Sequence, residues 1–340
     1  MKRVCKFIVA MSAVLFSPMI AGAQELSLFA WSEYVPQSVL DGFTKETGIK
    51  VTYETYASNE EMVTKLVAGG ANYDLVIPSE YTVEALKKQS LLAELDHAKI
   101  PNLKNVQPSY MNLAYDQGNK VSVPWMAGTV GIVYNGEKIK DPITGFKDIF
   151  QDKYKKRLVV LDDAREFASW VMVAQGIDVN AVTKDNLAKI RPQQKQWMDL
   201  VRSYDSDSPK TALQSGDVDI GVVWNGEGSL LIQDDPKFKW VLPQEGAHKF
   251  IDSLCVPKNA KNKEAAHKFI NYVLKPEVGK EIWEAFPYTT VNVESKKLLS
   301  DEQRGNLASF PANEDKLKLF TDIGEVMAEV EKQFSDLKGQ

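Results

Sequence analysis

The stretch Leu26-Ser27-Leu28-Phe29-Ala30-Trp31-Ser32-Glu33-Tyr34 decides how the rest of the chain is read. Its first five residues form an apolar run that reads as a buried strand, and Pro36 stops its continuation. In open α/β sheets, ligands bind in the crevice beyond the strand ends. Two aromatic rings, a hydroxyl and a carboxylate at such an end suit an elongated cation with an apolar stem. The ring faces attract positive charge and the carboxylate neutralises it. A structural aromatic corner with a solvated glutamate is the alternative reading.

Outward from this stretch, Val39, Leu40 and Phe43 share one helix face, and Gly48 is placed to cap that helix. A second strand is expected over 51–56. Ser58-Asn59-Glu60-Glu61 fits a capping box for a helix whose apolar side is Met62, Val63, Leu66 and Val67, with Gly69-Gly70 as the following turn. Tyr73-Asp74-Leu75-Val76-Ile77 is a third strand, closed by Pro78-Ser79-Glu80-Tyr81. The order β-α-β-α-β is the signature of a parallel sheet with right-handed crossovers. The first and third strands both run into polar-aromatic tips.

Met1-Lys2-Arg3, the apolar stretch from Phe7 to Ile20 and the small residues Ala21-Gly22-Ala23 read as a secretory signal peptide over 1–23, cleaved after about Ala23. The apolar stretch is short for a membrane span, so an exported product with no membrane insertion after cleavage is expected. Removing these residues takes Lys2, Arg3 and Lys6 from the 41 basic residues and leaves 38 against 46 acidic, a formal charge of −8. An acidic chain argues against a nucleic-acid partner and is compatible with a cationic ligand. Cys5 leaves with the signal. The remaining Cys255 cannot form an internal disulfide and is expected in the core. Just over three hundred mature residues exceed one compact core, so two domains are expected.

The run from Val121 to Tyr134 is extended and reads as the first crossing between domains, with Phe250 to Val256 as the return. Between them lies a second α/β unit. It has a strand over 157–161, a helix led by Asp162-Asp163-Ala164-Arg165-Glu166, a helix over 184–201 interrupted near Pro192, and a strand over 218–223 ending in Trp224-Asn225-Gly226-Glu227. Two helices, 262–273 and 276–285, and an amphipathic helix over about 323–337 complete the chain.

Asp163 and Glu166 are three apart at a helix start and can point the same way. Both also suit the positive end of the helix dipole, and as paired carboxylates they could serve glycoside hydrolysis. Trp224 with Glu227, Phe250 with Asp252, Trp31 with Glu33 and Tyr81 with Glu80 each join an aromatic to an acid at a strand end or within a strand. Four such pairings across both candidate domains favour a shared cleft, to which Tyr288 could add a ring. His97, His248 and His267 show no metal-ligand spacing, and each reads as a surface residue. Phosphate-loop, dinucleotide and nucleophile-elbow motifs do not occur in the sequence.

Over nearly the whole mature chain the sequence resembles the periplasmic spermidine/putrescine-binding proteins of bacterial ABC importers. The resemblance is carried by Trp31-Ser32-Glu33-Tyr34-Val35-Pro36, Tyr73-Asp74-Leu75-Val76-Ile77-Pro78-Ser79, Asp162-Asp163-Ala164-Arg165-Glu166, Trp224-Asn225-Gly226 and Asp252-Ser253-Leu254. It implies an α/β, two-domain periplasmic binding protein fold of type II, with the ligand cleft between domains joined by extended crossovers. The division expected is 24–125 with about 251–300 as domain 1, and 126–250 with about 301–340 as domain 2. The resemblance implies that Trp31, Tyr34, Tyr81, Trp224 and Tyr288 wall the methylene chain of a polyamine and meet its ammonium groups. Asp163, Glu166 and Asp252 would be the principal anionic partners, with Ser32, Ser79 and Ser206 as hydroxyl partners and Glu33 assisting at one end. Phe250, Glu227 and Leu319-Phe320-Thr321-Asp322 depart from the spermidine-preferring pattern towards a diamine, whereas Asp163-Ala164-Arg165-Glu166 follows it, so both ligands stay open. The implied partners are a polyamine and an inner-membrane ABC permease, met by a monomer closing its cleft, without cofactor or catalysis. A binding protein for another cation such as ferric iron, and a glycoside hydrolase using Asp163 and Glu166, are the alternatives.

Overall fold

The computed structural model describes residues 25–68 and 72–339. The expected signal peptide over 1–23 and the turn at Gly69-Gly70 lie outside the described residues. Strand β1 (Glu25–Trp31) pairs in parallel with β2 (Lys50–Tyr56) from Glu25↔Lys50 to Trp31↔Tyr56, and on its other side with β3 (Leu75–Val76). Because the three strands run the same way, Trp31, Tyr56 and the Ser79 that follows β3 emerge at one edge of the sheet. The helix Gln37–Thr47 buries Val39, Leu40 and Phe43, and Gly48 closes it at a φ of 72°, the left-handed conformation glycine adopts freely.

The lobes are joined through β4 (Ser122–Asn135), a strand of 14 residues, and β9 (Ala247–Cys255), antiparallel from Ser122↔Cys255 to Thr129↔Lys249. Beyond this crossing lie β5 (Leu158–Val160), β6 (Val201–Tyr204) and β7 (Ile220–Trp224), with β5 parallel to both neighbours. The strand order is β2-β1-β3-β9-β4-β7-β5-β6. Three further strands, β8 (Phe238–Val241), β10 (Thr289–Thr290) and β11 (Leu317–Lys318), attach to β4 and β9.

Two large cores result. One packs Leu26, Leu28 and Phe43 against Phe269, Ile270 and Val273, and the other packs Leu158, Val160, Phe167 and Trp170 against Trp197 and Phe334. The helix Val326–Lys338 belongs to the second through Val330, Phe334 and Leu337. Cys255 is fully buried and free, as expected.

Two expectations are corrected. The helix Lys184–Leu200 runs through Pro192 without interruption. Pro192 and Ala188, whose carbonyl loses its partner, both face solvent, while Leu187, Ile190, Trp197 and Met198 hold the opposite face in the core. Of the histidines only His97 is exposed; His248 and His267 are buried, and both use their ring nitrogens in hydrogen bonds. No described helix is long and apolar enough to cross a membrane.

Candidate functional site

The polar-aromatic strand ends of both lobes face one open cavity. Trp31, Ser32, Glu33, Tyr34, Ser79 and Tyr81 enter from the first lobe, and Asp163, Glu166, Ser206, Trp224 and Glu227 from the second. Phe250 and Asp252 come from β9, and Tyr288 from the segment before β10. All fourteen residues singled out in the sequence therefore line the same space. Ala57, Asn59, Arg165, Asp207, His248 and Phe320 line it too.

The aromatic wall is held by hydrogen bonds to the backbone. The Trp31 indole N–H donates to the Ile77 carbonyl at 2.9 Å, and the Trp224 indole N–H to the Ser206 carbonyl at 3.1 Å. Trp224, Phe250, Tyr288 and Tyr34 follow one another edge to face, with centroids 5.6, 6.1 and 5.1 Å apart. Close packing explains Gly226 in the Trp-Asn-Gly motif, since a Cβ there would fall 2.6 Å from the Tyr288 ring. Such fixed rings offer a low-entropy surface to an apolar stem and π faces to a cation.

The carboxylates differ in how far they are satisfied. Asp252 accepts hydrogen bonds from Tyr34 and, at 2.7 Å, from Ser79. Burial raises its pKa to about 7 despite those two bonds. Asp163 caps the helix Ala164–Ala174 by accepting the Glu166 N–H at 2.9 Å. Loss of water, then the neighbouring Glu166 and Glu60 carboxylates, raises its pKa to about 8. Neither Asp163 nor Asp252 has a cationic side chain at ion-pair distance among the described residues.

Glu166 and Glu227 are already engaged by cations. The His248 ring lies between Glu166, 2.5 Å from Nδ1, and Glu80, 2.8 Å from Nε2. Burial opposes charge on this imidazole, but the two carboxylates outweigh it and raise the pKa to about 10. The ring also stacks on Phe320 at 3.6 Å. Glu80 faces this bracket rather than the cavity, accepting the N–H groups of Ile251 and Phe320. Glu227 accepts the Lys210 ammonium at 2.5 Å and the Lys210 backbone N–H at 2.8 Å. Burial nevertheless raises the Glu227 pKa to about 7.

A family model for bacterial extracellular solute-binding proteins matches residues 38–305. The chain belongs to this family. It is 36% identical to the spermidine/putrescine-binding periplasmic protein of Salmonella typhimurium over 99% of both chains. It is 37% identical to spermidine/putrescine-binding periplasmic protein 1 of Haemophilus influenzae, over 92% of this chain and 88% of that one. A solved chain described as a spermidine/putrescine ABC transporter of Listeria monocytogenes superposes with a TM-score of 0.90. It is 31% identical, covering 93% of this chain and 99% of that one.

In this solute-binding protein the Asp163/Glu166 pair is not a glycosidase pair. Glu166 is held by His248 and by the Trp170 indole N–H at 3.2 Å, so it is not free to attack or to activate water. The ferric alternative also fares poorly. No group of three His, Cys, Asp or Glu side chains that could hold a metal ion occurs among the described residues. Ser79 spends its hydrogen on Asp252, whereas the buried Ser206 hydroxyl has no partner among the described residues. His248 and Lys210 were missed by sequence reading. A histidine on a crossing strand, opposite two acids at helix starts, is the signal that could have found the first.

Proposed function

We propose that this protein binds a polyamine, putrescine or spermidine, in the periplasm and hands it to an inner-membrane ABC permease by cleft closure. One observation carries the reading. Asp163 and Asp252 stand without cationic partners in an aromatic-walled cavity between two lobes, where a buried unpaired charge is costly and a cation relieves it. An ammonium at each carboxylate, with the methylene stem against Trp31, Trp224, Phe250 and Tyr288, satisfies both demands. Tyr34, Tyr81 and the hydroxyls of Ser32, Ser79 and Ser206 complete the set, with Glu33, Glu166 and Glu227 setting the field. The spermidine/putrescine-binding relatives support the same chemistry.

In this reading 24–125 with about 251–300 moves against 126–250 with about 301–340, hinged at β4 and β9, and a monomer exported by a signal cleaved after about Ala23 presents its closed form to the permease. The test is thermal unfolding of the mature protein, stripped of ligand by unfolding and refolding. Polyamine at a hundred times its dissociation constant should add roughly 2.7 kcal/mol. An unmoved transition with putrescine and with spermidine refutes the reading.

A further inference from the structure

The Lys210 ammonium bridges Glu33 and Glu227, two carboxylates that line the cavity. It donates to Glu33 of the first lobe, to Glu227 of the second at 2.5 Å and to the Ser208 hydroxyl at 3.1 Å, which uses all three of its N–H groups. The Lys210 side chain is only 14% exposed and that of Glu227 only 5%. The backbone N–H of Lys210 binds the second Glu227 oxygen, so the pair is held at two points.

Resting on the polyamine reading, we propose that Lys210 is a specificity-determining residue: a built-in ammonium that neutralises Glu33 and Glu227 and so restricts the cleft to diamines. Six carboxylates line the cavity. Glu33 and Glu227 share Lys210, Glu166 is paired with His248, and Asp207 is exposed to water and accepts the Ser32 hydroxyl. Asp163 and Asp252 are left, two anions for two ammonium groups. A third ammonium drawn to Glu33 and Glu227 would have to displace Lys210 or lie close to it, and like charges at that distance repel. The same cleft without Lys210 would offer a third anionic subsite to a longer amine.

The experiment is calorimetric titration of the mature, ligand-stripped protein with putrescine and with spermidine, for wild type, Lys210→Ala and Lys210→Arg. It is run at pH 8 and again at pH 9, because Glu227 stands at about 7 only with the Lys210 ammonium lowering it, and removing that lysine raises it further. The wild type should favour putrescine. Lys210→Ala should raise the spermidine-to-putrescine affinity ratio by about tenfold or more, the scale of one charge-assisted hydrogen bond. Lys210→Arg, which keeps the charge, should retain the wild-type ranking. A wild type that favours spermidine overturns the inference, as does a Lys210→Ala protein that loses affinity for both amines equally, the behaviour of a simple latch between the lobes. In both of those cases the polyamine reading stands. Absence of binding to either amine in wild type overturns that reading itself.

Discussion

Ser79 donates its hydroxyl to Asp252 across 2.7 Å, tying the end of β3 to the crossing strand β9 at the floor of the cleft. Tyr34 binds the other oxygen of the same carboxylate. Both bonds orient Asp252 and neither neutralises it. Asp252→Asn keeps the shape and removes the charge, so polyamine affinity should fall by about 2–5 kcal/mol, roughly thirtyfold to several thousandfold. Titration calorimetry reads this directly, and an affinity within threefold of wild type would remove Asp252 from the ligand contacts.

Affinity should depend on pH in a defined direction. Asp163 and Asp252, raised to about 8 and about 7, hold protons near neutrality that an incoming ammonium must expel. Their raised values mean that the folded, unliganded chain binds more protons than the unfolded one. Their contribution to unliganded stability is therefore present at low pH and lost as pH rises through these values, while binding strengthens over the same range. Between pH 6 and pH 8 affinity should rise by about 10-fold through Asp252 and roughly 50-fold through Asp163, then level off above pH 8, the ligand amines remaining charged until pH ~10. The heat of binding at pH 7 should vary with the ionisation enthalpy of the buffer. A flat profile with no proton release contradicts the assignment of both carboxylates.

Asp163 and Glu166 should separate cleanly although they sit on one helix turn. Asp163 has no cation of its own, whereas Glu166 is bound to His248. Asp163→Asn should cost about 2 kcal/mol or more of polyamine affinity and little stability, since asparagine still caps the helix. Glu166→Gln should lower stability by more than it changes the ranking of ligands. Paired denaturation and titration measurements check this, and equal losses of affinity with unchanged stability would contradict it.

His248 joins the lobes electrostatically, with Glu80 on one side and Glu166 on the other. Replacing it by glutamine leaves two buried carboxylates facing a neutral group, a loss of about 3–5 kcal/mol in unfolding free energy. The raised pKa of His248 has the opposite charge sense from a carboxylate. The stability it supplies is complete below the ordinary pH of about 6.5 and disappears as pH rises through about 10. The gap between wild type and His248→Gln in a denaturant titration should therefore shrink towards pH 10. A gap that is absent at pH 6 would contradict the bracket.

Local patterns made much of the fold legible. The apolar spacing of Val39, Leu40 and Phe43 marks a buried helix face, and Gly48 ends that helix in the left-handed conformation that glycine adopts freely. The capping box at Ser58 is half present: Ser58 accepts the Glu61 N–H, but Glu61 reaches Ala57 rather than Ser58. The cleft residues were visible for a related reason, since most stand just beyond a strand end, with Phe250 and Asp252 inside the crossing strand β9. His248 and Lys210 carry no such mark. The burial of His248 is created by Glu80 and Glu166, 168 and 82 residues away, and the Lys210 ammonium meets Glu33, 177 residues away. Charges paired at that separation leave no spacing to read. Pro192 misled for the converse reason, because a local rule for breaking helices yields where the missing bond faces water.

The most direct test of the central claim is isothermal titration of the mature, ligand-stripped protein with putrescine, spermidine and cadaverine at pH 8. The account predicts saturable heat with one polyamine bound per chain, lost or severely weakened in Asp252→Asn. Absence of heat with all three amines, together with an unmoved thermal transition at concentrations far above micromolar, would contradict it.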